Sequence, residues 1–269
     1  MTVLSRWALA ALVSALPLGA GGAACNLDQP CYSTASVVNS ASYATGWLAP
    51  NTFATIFGLN LADATLAGLP GSQDPTGTIG GVRVLVNAQP AFVSYVSPDQ
   101  VNFVIPTDLT GTTATVQLVR DGYSGPAVTL SVHDSAPTLF LDLDAVTVIA
   151  THANGNLVTQ QLPAHAGDPV VLFATGLGPY NAAVISDFSI PPPQDWIARA
   201  AEFQVLLDGR AVDSSLITYV GSIPLCVGLF QINLDLPAWV GPNPEIRIAL
   251  DDPVNGDRLS PPGTLLPVD

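Results

Sequence analysis

The 269-residue chain contains no lysine. Its seven basic residues are all arginine, and they face 21 acids, of which only Glu202 and Glu245 are glutamate. The formal net charge is −14. A P-loop needs a lysine to reach phosphate, and Schiff-base chemistry needs a lysine amine, so both are excluded. Scattered arginines cannot form the basic face that nucleic acid demands. Charged residues make up 10% of the chain, against roughly 25% in an ordinary globular protein. Low charge with 48% apolar residues is the opposite of a disordered composition. Histidine is scarce, at His133, His152 and His165 only. No His-Glu-x-x-His or Gly-x-Ser-x-Gly motif occurs, and no metal-ligand spacing joins the histidines to the three cysteines. The histidines read as surface or turn residues, and the chain is expected to be neither an enzyme nor a cofactor carrier.

What is plentiful points to β structure. The good helix formers Lys and Glu are nearly missing, while Asp, Gly (23) and Pro (24) supply turns. The expected class is all-β, with room for two ordinary domains.

Residues 1–24 read as an export signal: Arg6, an apolar stretch from Trp7 to Leu18, then small residues to Ala24. The apolar run breaks at Pro17 and the glycines, too early for a membrane span. Gly22-Ala23-Ala24-Cys25 resembles a bacterial lipobox with Gly in place of the usual Leu, so Cys25 is a candidate lipid anchor. Its rival role is a disulfide with Cys31, which an oxidising compartment favours. Cys226 sits in an apolar run and reads as a small buried hydrophobe.

The strongest signal is an internal repeat. Gln100-Val101-Asn102-Phe103-Val104-Ile105-Pro106 matches Gln231-Ile232-Asn233-Leu234-Asp235-Leu236-Pro237. Upstream, Ile56-Phe57-Gly58 matches Leu172-Phe173-Ala174, Val84 to Ala88 matches Val205 to Gly209, and Tyr95-Val96 matches Tyr219-Val220. Downstream, Ala114 to Val119 matches Glu245 to Leu250. The blocks alternate with period two, as half-buried strands do. Asn87-Ala88 and Asp208-Gly209 suit tight hairpins, and Pro106 and Pro237 stop their strands. Together these predict two tandem immunoglobulin-like β-sandwiches, residues 32–134 and 135–269, meeting at a short extended joint, Ala136 to Phe140.

Candidate site residues are few. Gln100 with Asn102, and Gln231 with Asn233, lie two apart and share a strand face. They read either as a polar binding stripe or as structural amides that bond loop backbone at a sheet edge, and recurrence in both copies favours the structural role. Asp142 and Asp144, placed on one strand face, and Asp252, Asn255 and Asp257 are the candidate calcium ligands, although Asn255-Gly256 is explained as a hairpin turn. The loop from Ser186 to Ala198, with Pro191-Pro192-Pro193, reads as a stiff cover for a sheet edge or as a ligand loop presenting Trp196. Trp47, Trp196 and Trp239 are the candidate exposed aromatics for glycan contact.

Val37-Val38-Asn39-Ser40-Ala41-Ser42-Tyr43, Tyr95 to Phe103, Ala136-Pro137-Thr138-Leu139-Phe140, Ala174 to Pro179 and Gly228 to Asn233 carry a resemblance. The chain resembles the uncharacterised C-terminal domain family abundant in Solibacter and other Acidobacteria, and each half resembles immunoglobulin-like folds of the IPT/TIG kind. The resemblance implies a fold and an exported compartment, secreted, periplasmic or cell-surface, rather than a reaction. The expected function is a non-enzymatic binding or structural module with a surface protein or polysaccharide as partner. A carbohydrate-binding module and a secreted hydrolase are the alternatives.

Overall fold

The computed structural model describes residues 28–68, 77–181, 195–224, 226–250 and 258–269. The first domain runs through β1 (Val37–Asn39), β2 (Phe53–Phe57), β3 (Leu66–Ala67), β4 (Val82–Val86), β5 (Gln89–Ala91), β6 (Val93–Val96), β7 (Gln100–Val104), β8 (Thr113–Arg120), β9 (Tyr123–Ser124) and β10 (Val128–Ser131). The second contains β11 (Thr138–Leu139), β12 (Ala150–His152), β13 (Pro169–Thr175), β14 (Phe203–Leu207), β15 (Arg210–Ala211), β16 (Ile217–Ile223), β17 (Cys226–Asp235), β18 (Ile246–Leu250) and β19 (Arg258–Leu259).

Each domain is a sandwich of two antiparallel sheets. In the first, β1-β2-β7-β6-β3 faces β10-β8-β4-β5. In the second, β11-β13-β17-β16 faces β15-β14-β18-β19. The sequence repeat becomes a repeat of topology: β2-β7-β6 over β4-β8 corresponds to β13-β17-β16 over β14-β18. Period-two strands bury one face each. Ile56, Val101 and Phe103 meet Val84, Val116 and Leu118 in one core. Leu172, Phe230 and Ile232 meet Val205, Ile246 and Ile248 in the other.

The hairpins close in the same way in both copies. Asn87 and Ala88 have φ of 48° and 65°, and Asp208 and Gly209 have 49° and 75°. These left-handed values are what a two-residue turn requires, and Asn, Asp and Gly tolerate them best. Asn87 Oδ1 accepts the Thr115 N–H at 2.8 Å, and Asp208 Oδ1 accepts the Glu245 N–H at 2.9 Å.

The two sandwiches meet through a buried, hydrogen-bonded joint. Thr175, fully buried, accepts the Phe53 N–H through Oγ1 at 2.7 Å and donates to the Gly228 carbonyl at 2.8 Å. Asn51 Nδ2 donates to the Gly178 carbonyl at 3.0 Å, and Asn39 Nδ2 to Thr138 Oγ1 at 3.2 Å. Phe53, Phe92 and Val104 of the first domain pack on Val227 of the second. Gly228 permits this approach, because a Cβ on it would lie 2.9 Å from the Val104 methyls of the first domain. A Cβ on Gly176 would overlap the Ala136 carbonyl within the second domain and lie 3.2 Å from Thr52 Oγ1 of the first.

Candidate functional site: a repeated aromatic and amide face

The paired amides lie on central strands, between β2 and β6 in one domain and between β13 and β16 in the other. The sheet-edge role expected for them therefore does not hold. Their partners also differ from expectation. Gln100 Nε2 donates to Asn102 Oδ1 at 2.9 Å, and Gln231 Nε2 donates to Asn233 Oδ1 at 2.7 Å. The amides bond each other rather than loop backbone. In the first domain Thr55 Oγ1 also donates to Asn102 Oδ1, at 3.0 Å, and pairs with Ser40 Oγ at 2.8 Å.

Strand register surrounds both amide pairs with the same residues. Phe57 stands opposite Gln100, and Phe173 opposite Gln231. Tyr95 stands opposite Asn102, and Tyr219 opposite Asn233. A bulge precedes each tyrosine, between Val93 and Tyr95 and between Ile217 and Tyr219. A bulge re-aims the side chain that follows it. The hydroxyl of each bulged residue turns back to the central strand: Ser94 Oγ donates to the Asn102 carbonyl at 3.4 Å, and Thr218 Oγ1 to the Asn233 carbonyl at 3.5 Å. None of these Phe, Gln, Asn and Tyr side chains belongs to the core clusters between the sheets, so each set lies on a sheet's outer face.

A further aromatic sits on each set. Tyr43, 52% exposed, stacks on Phe57 with ring centroids 6.2 Å apart. Trp196, 40% exposed, meets Tyr219 edge to face at 5.3 Å. Trp196 crosses Gly221 in an antiparallel bridge, where a Cβ would press on the Tyr219 hydroxyl and overlap the Asp195 carbonyl. The Tyr219 hydroxyl donates to the carbonyls of Ser222 at 2.9 Å and Asp195 at 3.2 Å. Around Phe173 the face continues into an apolar patch formed with Phe140, Ile149, Leu229 and Cys226. Burial pushes the Cys226 thiol up to about 11, so this free cysteine is a poor nucleophile at neutral pH.

Other candidates fall elsewhere. Trp47 is not an exposed platform. It is half-buried at the joint, with Nε1 donating to the Pro137 carbonyl at 3.4 Å and its ring 5.4 Å from that of His133. Trp239 is partly exposed, but Arg210 covers its ring at 4.0 Å. Asp142 and Asp144 do not share a strand face. They lie in a chain reversal that Ala145 completes at φ 59°. Burial raises the Asp144 carboxyl, but hydrogen bonds from Thr147 and Val146 outweigh it and hold the group below its usual range. Asp144 Oδ1 accepts both backbone N–H groups, and Oδ2 accepts the Thr147 hydroxyl. Among the described residues no group of His, Cys, Asp or Glu side chains is placed to hold a metal ion. Asp252, Asn255, Asp257, Cys25 and most of the Ser186–Ala198 loop lie outside the described residues. Cys31 is disulfide-bonded.

The histidines do not converge. Burial, aided by the Arg258 charge, pulls His133 below its ordinary value, and the ring bonds the Gly46 carbonyl. His152 meets the Leu162 carbonyl, and His165 pairs with Asp168 and Asp269 at 3.2 and 3.1 Å.

No family model matches the chain, and no curated protein matches it in sequence. Among solved structures it is similar to SGBP-B of the Bacteroides ovatus mixed-linkage glucan utilization locus, in complex with a mixed-linkage heptasaccharide. That match has 10% identity and TM-score 0.35 and covers 90% of this chain. The chain spans 45% of that protein's length. The Ig1-2 module of the Drosophila receptor protein tyrosine phosphatase DLAR is similar at 11% identity and TM-score 0.21, over 90% of this chain and 95% of that one. Domains 5-6 of the S-layer protein SbsC give 10% identity and TM-score 0.27, over 89% and 98%. These likenesses extend no further than the tandem sandwich architecture. No helix among the described residues is long and apolar enough to cross a membrane.

Proposed function

We propose that the chain is an exported, non-enzymatic module that works at the cell surface or outside the cell, as a rigid pair of sandwiches presenting two equivalent outer faces. The observation that carries this reading is the joint. Thr175, Asn51 and Asn39 hydrogen-bond across it at buried or half-buried positions, and Gly228 stands where a side chain would press on Val104 of the first domain. Buried polar groups that satisfy one another across a joint fix one arrangement, because any other leaves them unpaired. The export-signal pattern in residues 1–24 and the resemblance to an acidobacterial domain family support the compartment. Small-angle scattering of the purified chain, with surface proteolysis of cells that express it, tests the reading. Scattering that fits one fixed two-domain shape and cleavage on intact cells support it. A broad ensemble of shapes or a protected cytosolic pool would refute it.

A further inference from the structure

Resting on the reading of the chain as a surface binding module, we infer that the two outer faces are platforms for an uncharged polysaccharide, with Trp196 the stacking ring on one and Tyr43 on the other. The first support is what the repeat keeps. Some core positions exchange residues: Ile56 becomes Leu172, Val101 becomes Ile232 and Phe103 becomes Leu234, while Val84 and Val96 recur as Val205 and Val220. The outward Phe, Gln, Asn and Tyr are the same in both copies. A shared fold needs apolar residues inside. It makes no demand for these four identities outside.

The second support is chemical. An amide offers two acceptor sites and two donor hydrogens. Each glutamine gives its NH2 to the neighbouring asparagine carbonyl. No protein partner meets Nδ2 of either asparagine or Oε1 of either glutamine among the described residues. On the second domain a donor and an acceptor thus remain beside Trp196, where Gln231 and Asn233 are partly exposed; on the first domain Asn102 is partly exposed, while Gln100 is buried. Sugar rings present the complement, with apolar C–H faces for the aromatic ring and hydroxyls that both donate and accept.

Charge narrows the class. The chain has no lysine, Asp99 is exposed beside Gln100, and Asp235 follows Asn233 on the same strand face. A net charge of −14 repels an anionic polymer. Duplication narrows it further. Two equivalent faces held by one joint suit a ligand that repeats its own epitope, because the second contact then becomes intramolecular.

Affinity electrophoresis of the full chain through gels containing galactomannan, xylan, dextran or hydroxyethylcellulose tests this, with polygalacturonate as the anionic polymer. At least one neutral polysaccharide should retard the protein, and polygalacturonate should not. Trp196→Ala should weaken that retardation about tenfold, the scale of losing one well-placed interface aromatic. Asn102→Ala with Asn233→Ala is the second variant, chosen because these side chains lie outside both cores. Unchanged melting temperatures show that each variant folds. The inference is overturned if no neutral polymer retards the protein, if only polygalacturonate does, or if retardation survives both variants. Fixed-shape scattering without retardation sinks the ligand and spares the rigid module. Retardation with flexible scattering does the reverse.

Discussion

Thr175→Val is the sharpest perturbation of the joint. Valine nearly matches threonine in shape, so packing stays and only the hydroxyl goes. That hydroxyl accepts the Phe53 N–H at 2.7 Å and donates to the Gly228 carbonyl at 2.8 Å. Both partners then stay at the joint with no replacement. A buried polar group left unpaired costs about 1–3 kcal/mol, so the substitution should cost about 2–4 kcal/mol in all, allowing for partial exposure of Phe53. Thr115→Val, on an exposed position of β8, is the matched control and should stay within about 0.5 kcal/mol of wild type. Urea unfolding followed by tryptophan fluorescence and by far-UV circular dichroism measures both. Because Thr175 sits between the domains, its loss should also split a single transition into two, so that the probes no longer coincide. Equal midpoints for Thr175→Val and Thr115→Val, with coincident probes, would refute the assignment of the joint to this hydroxyl.

Other outcomes follow from the same geometry. Gly228→Ala should destabilise by about 2 kcal/mol or more in calorimetry, since φ is +75° and the new Cβ meets Val104. Asn87→Ala should cost about 1–2 kcal/mol, from a lost bond to Thr115 and an unfavourable left-handed alanine, and Asn87→Gly should cost less. Burial pushes the Tyr32 hydroxyl from 10.0 up to about 12 in the folded chain. The unfolded chain thus loses this proton first, so stability should fall between pH 10 and about 12, and Tyr32→Phe should flatten that fall in urea titrations. With its thiol raised from 9.0 to about 11, Cys226 should react with iodoacetamide at pH 8 about a hundredfold more slowly in the folded chain than in urea.

The repeat makes most of the architecture legible in the sequence. Strand alternation, the Asn87-Ala88 and Asp208-Gly209 turns and the terminating prolines are local signals, and the fold obeys them. The outer face was half legible. The amides stood out two apart, but their neighbours depend on register. Tyr95 reaches Asn102 only because the strand bulges at Ser94, and a bulge leaves no distinct mark in a period-two pattern. Trp47 is not an exposed platform because residues far along the chain meet its ring, the His133 side chain of its own domain and the Pro137 carbonyl of the other. Asp142 and Asp144 misled because one left-handed alanine turns an expected strand into a reversal.

The central claim is that one fixed joint holds the two sandwiches, and a distance between spin labels tests it most directly. Labels at Thr129→Cys in the first domain and Asn154→Cys in the second, both exposed, would be placed in a Cys226→Ala background. Pulsed electron double resonance should give one narrow distance distribution, broadened when Gly228→Ala is added. A broad distribution in the otherwise unaltered joint would contradict the account.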